Sequence, residues 1–357
     1  MGDVSLNRCY YHCRTCGRGH VFWDRTLGLS QHRLTPAASQ IVALAGAKTS
    51  FAEASQTELR KLAGLRLSES TVERVTEDAG QRLAQLLEDK QTLGNDEVWP
   101  WQRDAQGRTC AYVSLDATGV RQQGPKGSLA EGRMAYVGMI YNPSSPHDPR
   151  KLPWRQTRYL AGFYGLPQLG LQLRRQAAQV GWDEAQQQIA LTDGGSGLEE
   201  FLQVNFPRAV RILDFWHAKE HLTEFSLAWC PDDEPRRKRW LDEQCHRLKH
   251  EGGAAVLEQL ESLNVGNRSA AVQEAHRVHT QYFRNHVSRM DYPRYLAQGW
   301  QIGSGPVESA CKTVVGARLK GSGMRWGEEG SDAVCHLRAL HLSQPGQWEA
   351  FWRDHPN

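Results

Sequence analysis

Three carboxylates stand where an apolar run ends or a helix begins. Leu115-Asp116-Ala117-Thr118 follows the apolar stretch Ala111-Tyr112-Val113, and Leu191-Thr192-Asp193-Gly194-Gly195 follows Ile189-Ala190. The third lies in Gly303-Ser304-Gly305-Pro306-Val307-Glu308. Pro306 suits the first position of a helix, which makes Glu308 the third, where a carboxylate complements the helix dipole. Each acid alone has an ordinary reading. Asp116 is a turn acid, and Asp193 a cap or turn residue beside glycines that supply positive φ. Glu308 is a dipole partner with Lys312 one turn on. Together, on two strand ends and a helix start, they suit a hard divalent cation. Mg²⁺ takes oxygen ligands and keeps waters that phosphate oxygens can replace. Two such ions roughly 3.5–4 Å apart activate an attacking oxygen and stabilise a leaving one. The glycines after Asp193 let a phosphate backbone approach, at the strand end where open sheets with parallel strands place their sites. The set fits metal-dependent phosphoryl transfer better than peptide or sugar chemistry.

Other constellations compete with it. His217-Ala218-Lys219-Glu220-His221 fits H-x-x-E-H, a zinc-peptidase signature with two imidazoles on one helix face. That chemistry needs a third ligand from a downstream helix, and the sequence offers no persuasive match. Cys13-Arg14-Thr15-Cys16 is half of a four-ligand zinc site. Cys9 and His20 would complete it as C-x₃-C-x₂-C-x₃-H, against the simpler reading of free thiols. The remaining cysteines of the eight are scattered and read as buried and reduced, too sparse for a disulfide framework. Arg236-Arg237-Lys238-Arg239-Trp240 suits phosphate contact with one aromatic beside it, or is a solvated helix face. Lys312, Arg318, Lys320 and Arg325, on and just past the Glu308 helix, are better placed to hold DNA.

Positioning these groups requires several elements, and 357 residues suffice for two or three domains. The chain is 39% hydrophobic, with a mean hydropathy of -0.60 and no apolar run approaching the roughly 20 residues that span a bilayer. Charge is nearly balanced, 43 Lys+Arg against 40 Asp+Glu, so any nucleic-acid contact must come from local patches. Residues 1–34 read as a partial zinc-ribbon-like segment. Residues 35–92 carry three helical patterns, the last capped by Ser68 or Ser70. Two helices joined through Gly64 and followed by a Ser/Thr-led helix make a helix-turn-helix pattern, or an ordinary three-helix packing unit. From about residue 109 the period becomes that of strands. Three strands are followed by helix, strand, helix, strand, and the chain is helical again from His217 to about residue 300. This predicts an α/β fold, a mixed sheet with helices packed on it.

The segments SLDATGV, LTDGG, DFWHAKEHL and GSGPVESACKTVVGARLKGSGMRW closely resemble a bacterial insertion-sequence transposase of the ISKra type, one of the DDE transposases. The resemblance covers about residues 109–342 and extends more loosely to the N-terminal part. It implies an RNase H-like catalytic domain over 109–342, with a helical insertion at about 217–300 and a tail at 343–357. It implies Asp116, Asp193 and Glu308 as a triad holding Mg²⁺ (or Mn²⁺), with Asp214 and His217 as accessory active-site residues. The expected partners are double-stranded DNA, both element ends and target, and further copies of the chain on that DNA, in the bacterial cytoplasm at the nucleoid. The ISKra-like pattern has a further Cys pair upstream, which leads to the expectation of a chain that is truncated or begun at an internal methionine. The opposing expectation is a catalytically inactive, truncated or repurposed transposase that only binds DNA.

Overall fold

The computed structural model describes residues 5–29, 34–128, 130–143, 156–195, 197–344 and 346–355. Its centre is a five-stranded sheet built from β1 (Cys110–Val120), β2 (Arg133–Asn142), β3 (Gln156–Gly162), β4 (Gln187–Thr192) and β5 (Val210–Leu213). The spatial order is β3-β2-β1-β4-β5. β1–β2 and β2–β3 are antiparallel, whereas β1–β4 and β4–β5 are parallel. The central strand explains the continuous apolar run in the sequence: helices cover both faces, so residues of both parities are buried. Ala111, Val113 and Leu115 enter one core with Leu169, Leu173 and Leu202, while Cys110 and Tyr112 enter the other with Ile212, Phe225 and Val314.

The sequence places Asp116 at or near the end of a strand. It is instead the seventh of eleven residues in β1. What ends near it is the parallel pairing with β4, whose last register pair is Ser114–Leu191. Burial of β1 accordingly breaks at Asp116. By the period of two, Asp116 shares the face of Tyr112 and Ser114.

In chain order the main helices are α1 (Pro36–Lys48), α2 (Glu69–Glu88), α3 (Leu166–Gln179), α4 (Leu198–Asn205), α5 (Phe215–Trp229), α6 (Glu234–His250), α7 (Gly253–Glu261), α8 (Ala270–His286), α9 (Tyr292–Ala297), α10 (Gly305–Ala310), α11 (Glu328–Leu342) and α12 (Gln347–Asp354). The helical stretch that begins with α5 leaves the sheet at β5 and returns beside its own start. Phe215 N–H donates to Ile302 O at 2.9 Å, and the Tyr292 hydroxyl donates to Leu213 O at 3.1 Å. None of the helices is long and apolar enough to cross a membrane, among the described residues.

Residues 35–92 form helices as their pattern predicts. Ser68 caps α2 by accepting from Thr71 N–H at 3.2 Å, and Gly64 ends the preceding helix in the left-handed region at φ 68°. These helices are not a detached module. Ala43, Ala47, Ala79, Leu83 and Leu87 share one core with the sheet residues Val113 and Leu160 and with Leu337 of α11. Gly80 meets α11 so closely that a Cβ there would lie 2.3 Å from Ala333 O. Arg338 Nη1 donates to Ala47 O at 2.7 Å. The expected tail at 343–357 is also corrected. It contains α12, whose Trp348, Phe351 and Trp352 are buried in that same core.

The α2–α11 seam carries a titrating group. Glu77 is half-buried, and burial first, then Glu73, Asp78 and Glu329, raises its carboxyl to about 7. A raised folded pKa favours the native state while the group is protonated. The contribution is intact below the unfolded value of about 4.3 and is lost as pH rises through about 7. Glu77→Gln is therefore expected to melt higher than the parent at pH 8 and alongside it near pH 4. Melting curves across that range check this.

Candidate active site

Asp116, Asp193 and Glu308 face one cleft of about 450 Å³, together with Leu115, Asp214, Trp216, His217, Glu220, Ser304, Gly305 and Val307. Each acid arrives by a different route. β1 brings Asp116. Asp193 follows the last residue of β4, and Gly195 N–H donates to its Oδ1 at 2.8 Å. Gly194 (φ 84°) and Gly197 (φ 79°) take the left-handed backbone that turns the chain into α4. Glu308 lies in the first turn of α10, where Ser304 Oγ donates to its Oε1 at 2.8 Å. Val307 and Ala310 of α10, with Cys311 and Val314 just after it, bury the stripe that packs on the sheet, and Glu308 lies beside that stripe at its edge.

The electrostatics of Asp116 record the crowding. Burial raises its carboxyl above the ordinary range, and the charges of Asp193 and Glu308 push the same way. The Ala117 N–H at 2.7 Å and the Cys311 thiol at 3.4 Å oppose this by donating to it. The cleft is thus a region of negative potential with no arginine or lysine among its lining residues. Such an all-oxygen donor set fits a hard divalent cation. The carboxylate oxygens of the three acids are not all within 4.8 Å of one another. Among the described residues only His221, Glu224 and His279 form so tight a group of three.

A second cleft of about 480 Å³ shares Asp116 and Glu308 and is edged by Thr118, Lys312 and Lys320. Lys320 Nζ contacts Thr118 Oγ1. Lys312, Lys320 and Arg325 are exposed. Arg318 is not available to DNA, contrary to expectation. It is 2% exposed, sandwiched 4.6 Å from the rings of Phe51 and Trp326, and donates from Nε to Gly46 O at 2.9 Å. Its position on the helix points inward, so it holds α1 against the rest of the chain. In the basic patch of α6, Arg236, Lys238 and Arg239 are exposed. Arg237 is committed to Cys230 O and Pro231 O, and Trp240 is partly buried and packs edge-to-face against Phe225.

Asp214 and His217 line the same cleft in different ways. Asp214 is buried and caps α5, accepting from Trp216 and His217 N–H, both at 3.2 Å. Its Oδ1 also accepts from Ser304 N–H at 3.0 Å, which ties the start of α5 to the turn before Glu308. Asp214→Ala should cost about 2–4 kcal/mol, the sum of a lost cap and an orphaned buried N–H. Asp214→Asn, which keeps an acceptor, should cost less; urea unfolding of both variants measures the difference.

His217 Nδ1 lies 3.2 Å from Glu220 Oε2, and its ring is 5.5 Å from that of His221. The downstream ligand that H-x-x-E-H requires does exist in space, as His279, but it meets His221 and Glu224 rather than His217. Near the N-terminus, Cys13 and Cys16 share a turn between the two-residue strands Tyr11–His12 and Gly19–His20. Both are exposed, and a backbone hydrogen bond involving Cys16 is the largest cause holding the Cys13 thiol below its usual range. The fuller set with Cys9 and His20 is not assembled, since among the described residues no group of three donors forms there.

Sequence reasoning missed Trp216, 56% exposed in the cleft wall, and Ser304, which positions Glu308. No protein-family model matches the chain, and no curated protein matches it.

Proposed function

We propose that this chain is a DDE transposase, an insertion-sequence enzyme with an RNase H-like catalytic fold that cuts DNA at element ends and joins the freed 3′-hydroxyl to target DNA. The observation that carries the reading is the convergence of Asp116, Asp193 and Glu308 on one cleft, from the central strand, the end of its parallel neighbour and a helix start. The sheet order β3-β2-β1-β4-β5, with three antiparallel strands leading into two parallel ones, is the arrangement expected of an RNase H-like fold. The three acids would hold Mg²⁺ or Mn²⁺, which when bound supplies charge for the attacking and leaving oxygens.

The residues of the chain supply the rest. Lys312 and Lys320 edge the second cleft beside the acids, so a phosphate backbone passing from one cleft to the other meets cations before it meets carboxylates. Trp216 offers an exposed ring on which an unpaired base can stack. Asp214 holds Trp216 and His217 in place through the α5 cap. Copies of the chain would assemble on the two element ends.

The test is strand cleavage and joining on duplexes carrying the native element ends. Nicking and joined products are expected with Mg²⁺ or Mn²⁺, and neither with chelator. A folded protein that binds those ends but cuts no DNA with either ion would leave only the DNA-binding reading.

A further inference from the structure

Away from the three acids, α5 and α8 bring together a different set of donors. His221 and Glu224 are three residues apart on α5 and therefore share a face. His279 reaches them from α8. One nitrogen of each imidazole and a carboxylate oxygen of Glu224 all lie within 4.8 Å of one another. His221 Nδ1 and His279 Nδ1 are 3.0 Å apart. Glu224 Oε2 is 3.9 Å from Nε2 of His279, the ring nitrogen turned away from that contact, so Glu224 has to swing toward the Nδ1 pair to share one ion with it. A tetrahedral ion with bonds of about 2.0–2.1 Å needs its donors roughly 3.3 Å apart. The two imidazoles are near that spacing already. The Glu224 side chain is 67% exposed and has room to close in.

The surroundings hold these rings in place. His221 stacks on Tyr282 with ring centroids 3.5 Å apart and planes 18° from parallel. His279 is buried beside Phe225. The neighbouring His276 is committed to Leu260 O at 2.7 Å and does not compete. Two nitrogens and one carboxylate oxygen select against Mg²⁺, which requires oxygen ligands in octahedral array, and favour a borderline ion such as Zn²⁺.

We propose that His221, Glu224 and His279 form a binding site for a divalent transition cation, Zn²⁺ in preference to Mg²⁺, which pins α5 to α8. It is separate from the acid cleft and holds whether or not that cleft cuts DNA. Its consequence reaches the cleft all the same, because the first turns of α5 carry His217 and Glu220 in the cleft wall. A loaded site fixes that wall against the helical stretch behind it.

The experiment uses the full chain carrying Cys13→Ser and Cys16→Ser, which removes the thiols as zinc ligands. The protein is stripped with chelator, dialysed into excess Mg²⁺ to fill the carboxylate cleft, and titrated with Zn²⁺ by calorimetry, with melting curves in parallel. One equivalent of Zn²⁺ should bind and raise the melting temperature. Glu224→Gln, at an exposed position that leaves the fold intact, should weaken binding by more than about tenfold, the least that even an outer-shell partner is worth. His279→Gln should abolish both the equivalent and the melting shift. His246→Ala, an exposed histidine on α6, should change neither. Failure of Zn²⁺ to bind in excess Mg²⁺, or equal affinity in Glu224→Gln and the parent, overturns the site and leaves a plain hydrogen bond between two histidines.

Discussion

Asp116→Asn and Asp193→Asn should each lower Mg²⁺-dependent strand cleavage by on the order of 10³-fold or more, about 4 kcal/mol of barrier, while end binding stays within a few-fold of the parent. The two properties reside on different groups. Affinity for duplex DNA comes from cations against phosphates, and exposed cations edge the second cleft, Lys312 and Lys320, outside the elements that carry Asp116 and Asp193. The amides keep the size of the acids, and the amide oxygen of the Asp116→Asn variant can still accept from Ala117 N–H as the Asp116 carboxylate does. They remove the charge a hard cation requires.

A second readout separates this from a structural role. The raised carboxyl of Asp116 means that burying its charge beside Asp193 and Glu308 opposes folding. Its contribution to stability is intact below the unfolded pKa and is lost as pH rises through the folded one. Without divalent ions at neutral pH, Asp116→Asn should therefore melt no lower than the parent, and Mg²⁺ should raise the melting temperature of the parent alone. Loss of folding and binding together with activity would show that Asp116 serves the core and would remove it from the triad.

Much of this is legible in the sequence because the pattern of burial and the pattern of residues coincide. β1 reads as a strand since both of its faces are covered, and the break in burial falls where the acid falls. Gly64 and Ser68 mark helix ends by local chemistry alone, and both do so here, while Pro306 falls one residue inside the start of α10 at Gly305. Arg318 shows the limit. A cation in a basic segment after Glu308 looks like a DNA contact, and only the turn of the helix toward Phe51 and Trp326 shows that it is buried. The pairing of His221 with His279 spans 58 residues, which no local spacing rule covers. The tail departs from expectation for a similar reason. Trp348, Phe351 and Trp352 give α12 an apolar face, but the surface they cover is assembled from distant parts of the chain: His341 of α11 meets the Trp348 ring, and Arg82 of α2 lies 5.0 Å from the Phe351 ring.

The same long-range packing decides what truncation does. A detached helix-turn-helix over 35–92 could be deleted with loss of end discrimination alone. The observed α1 and α2 instead supply Ala43, Ala47, Ala79, Leu83 and Leu87 to the core beneath the sheet. Burying each leucine contributes about 1.5–3 kcal/mol, and a whole protein retains only about 5–15 kcal/mol. Deletion also strips the Gly46 and Ala47 carbonyls from the buried Arg318 and Arg338. Deleting residues 1–92 should thus abolish cooperative melting, and cleavage with it. Deleting residues 1–29, whose short hairpin is exposed, should leave the melt unchanged. Leu83→Ala provides the graded version, with an expected loss of about 2–5 kcal/mol in urea unfolding. A soluble 93–357 fragment that melts cooperatively would show that α1 and α2 are an appended module after all. In that case Glu69, Ser70, Glu73 and Arg74, exposed at the start of α2, become the first residues to test for base contacts.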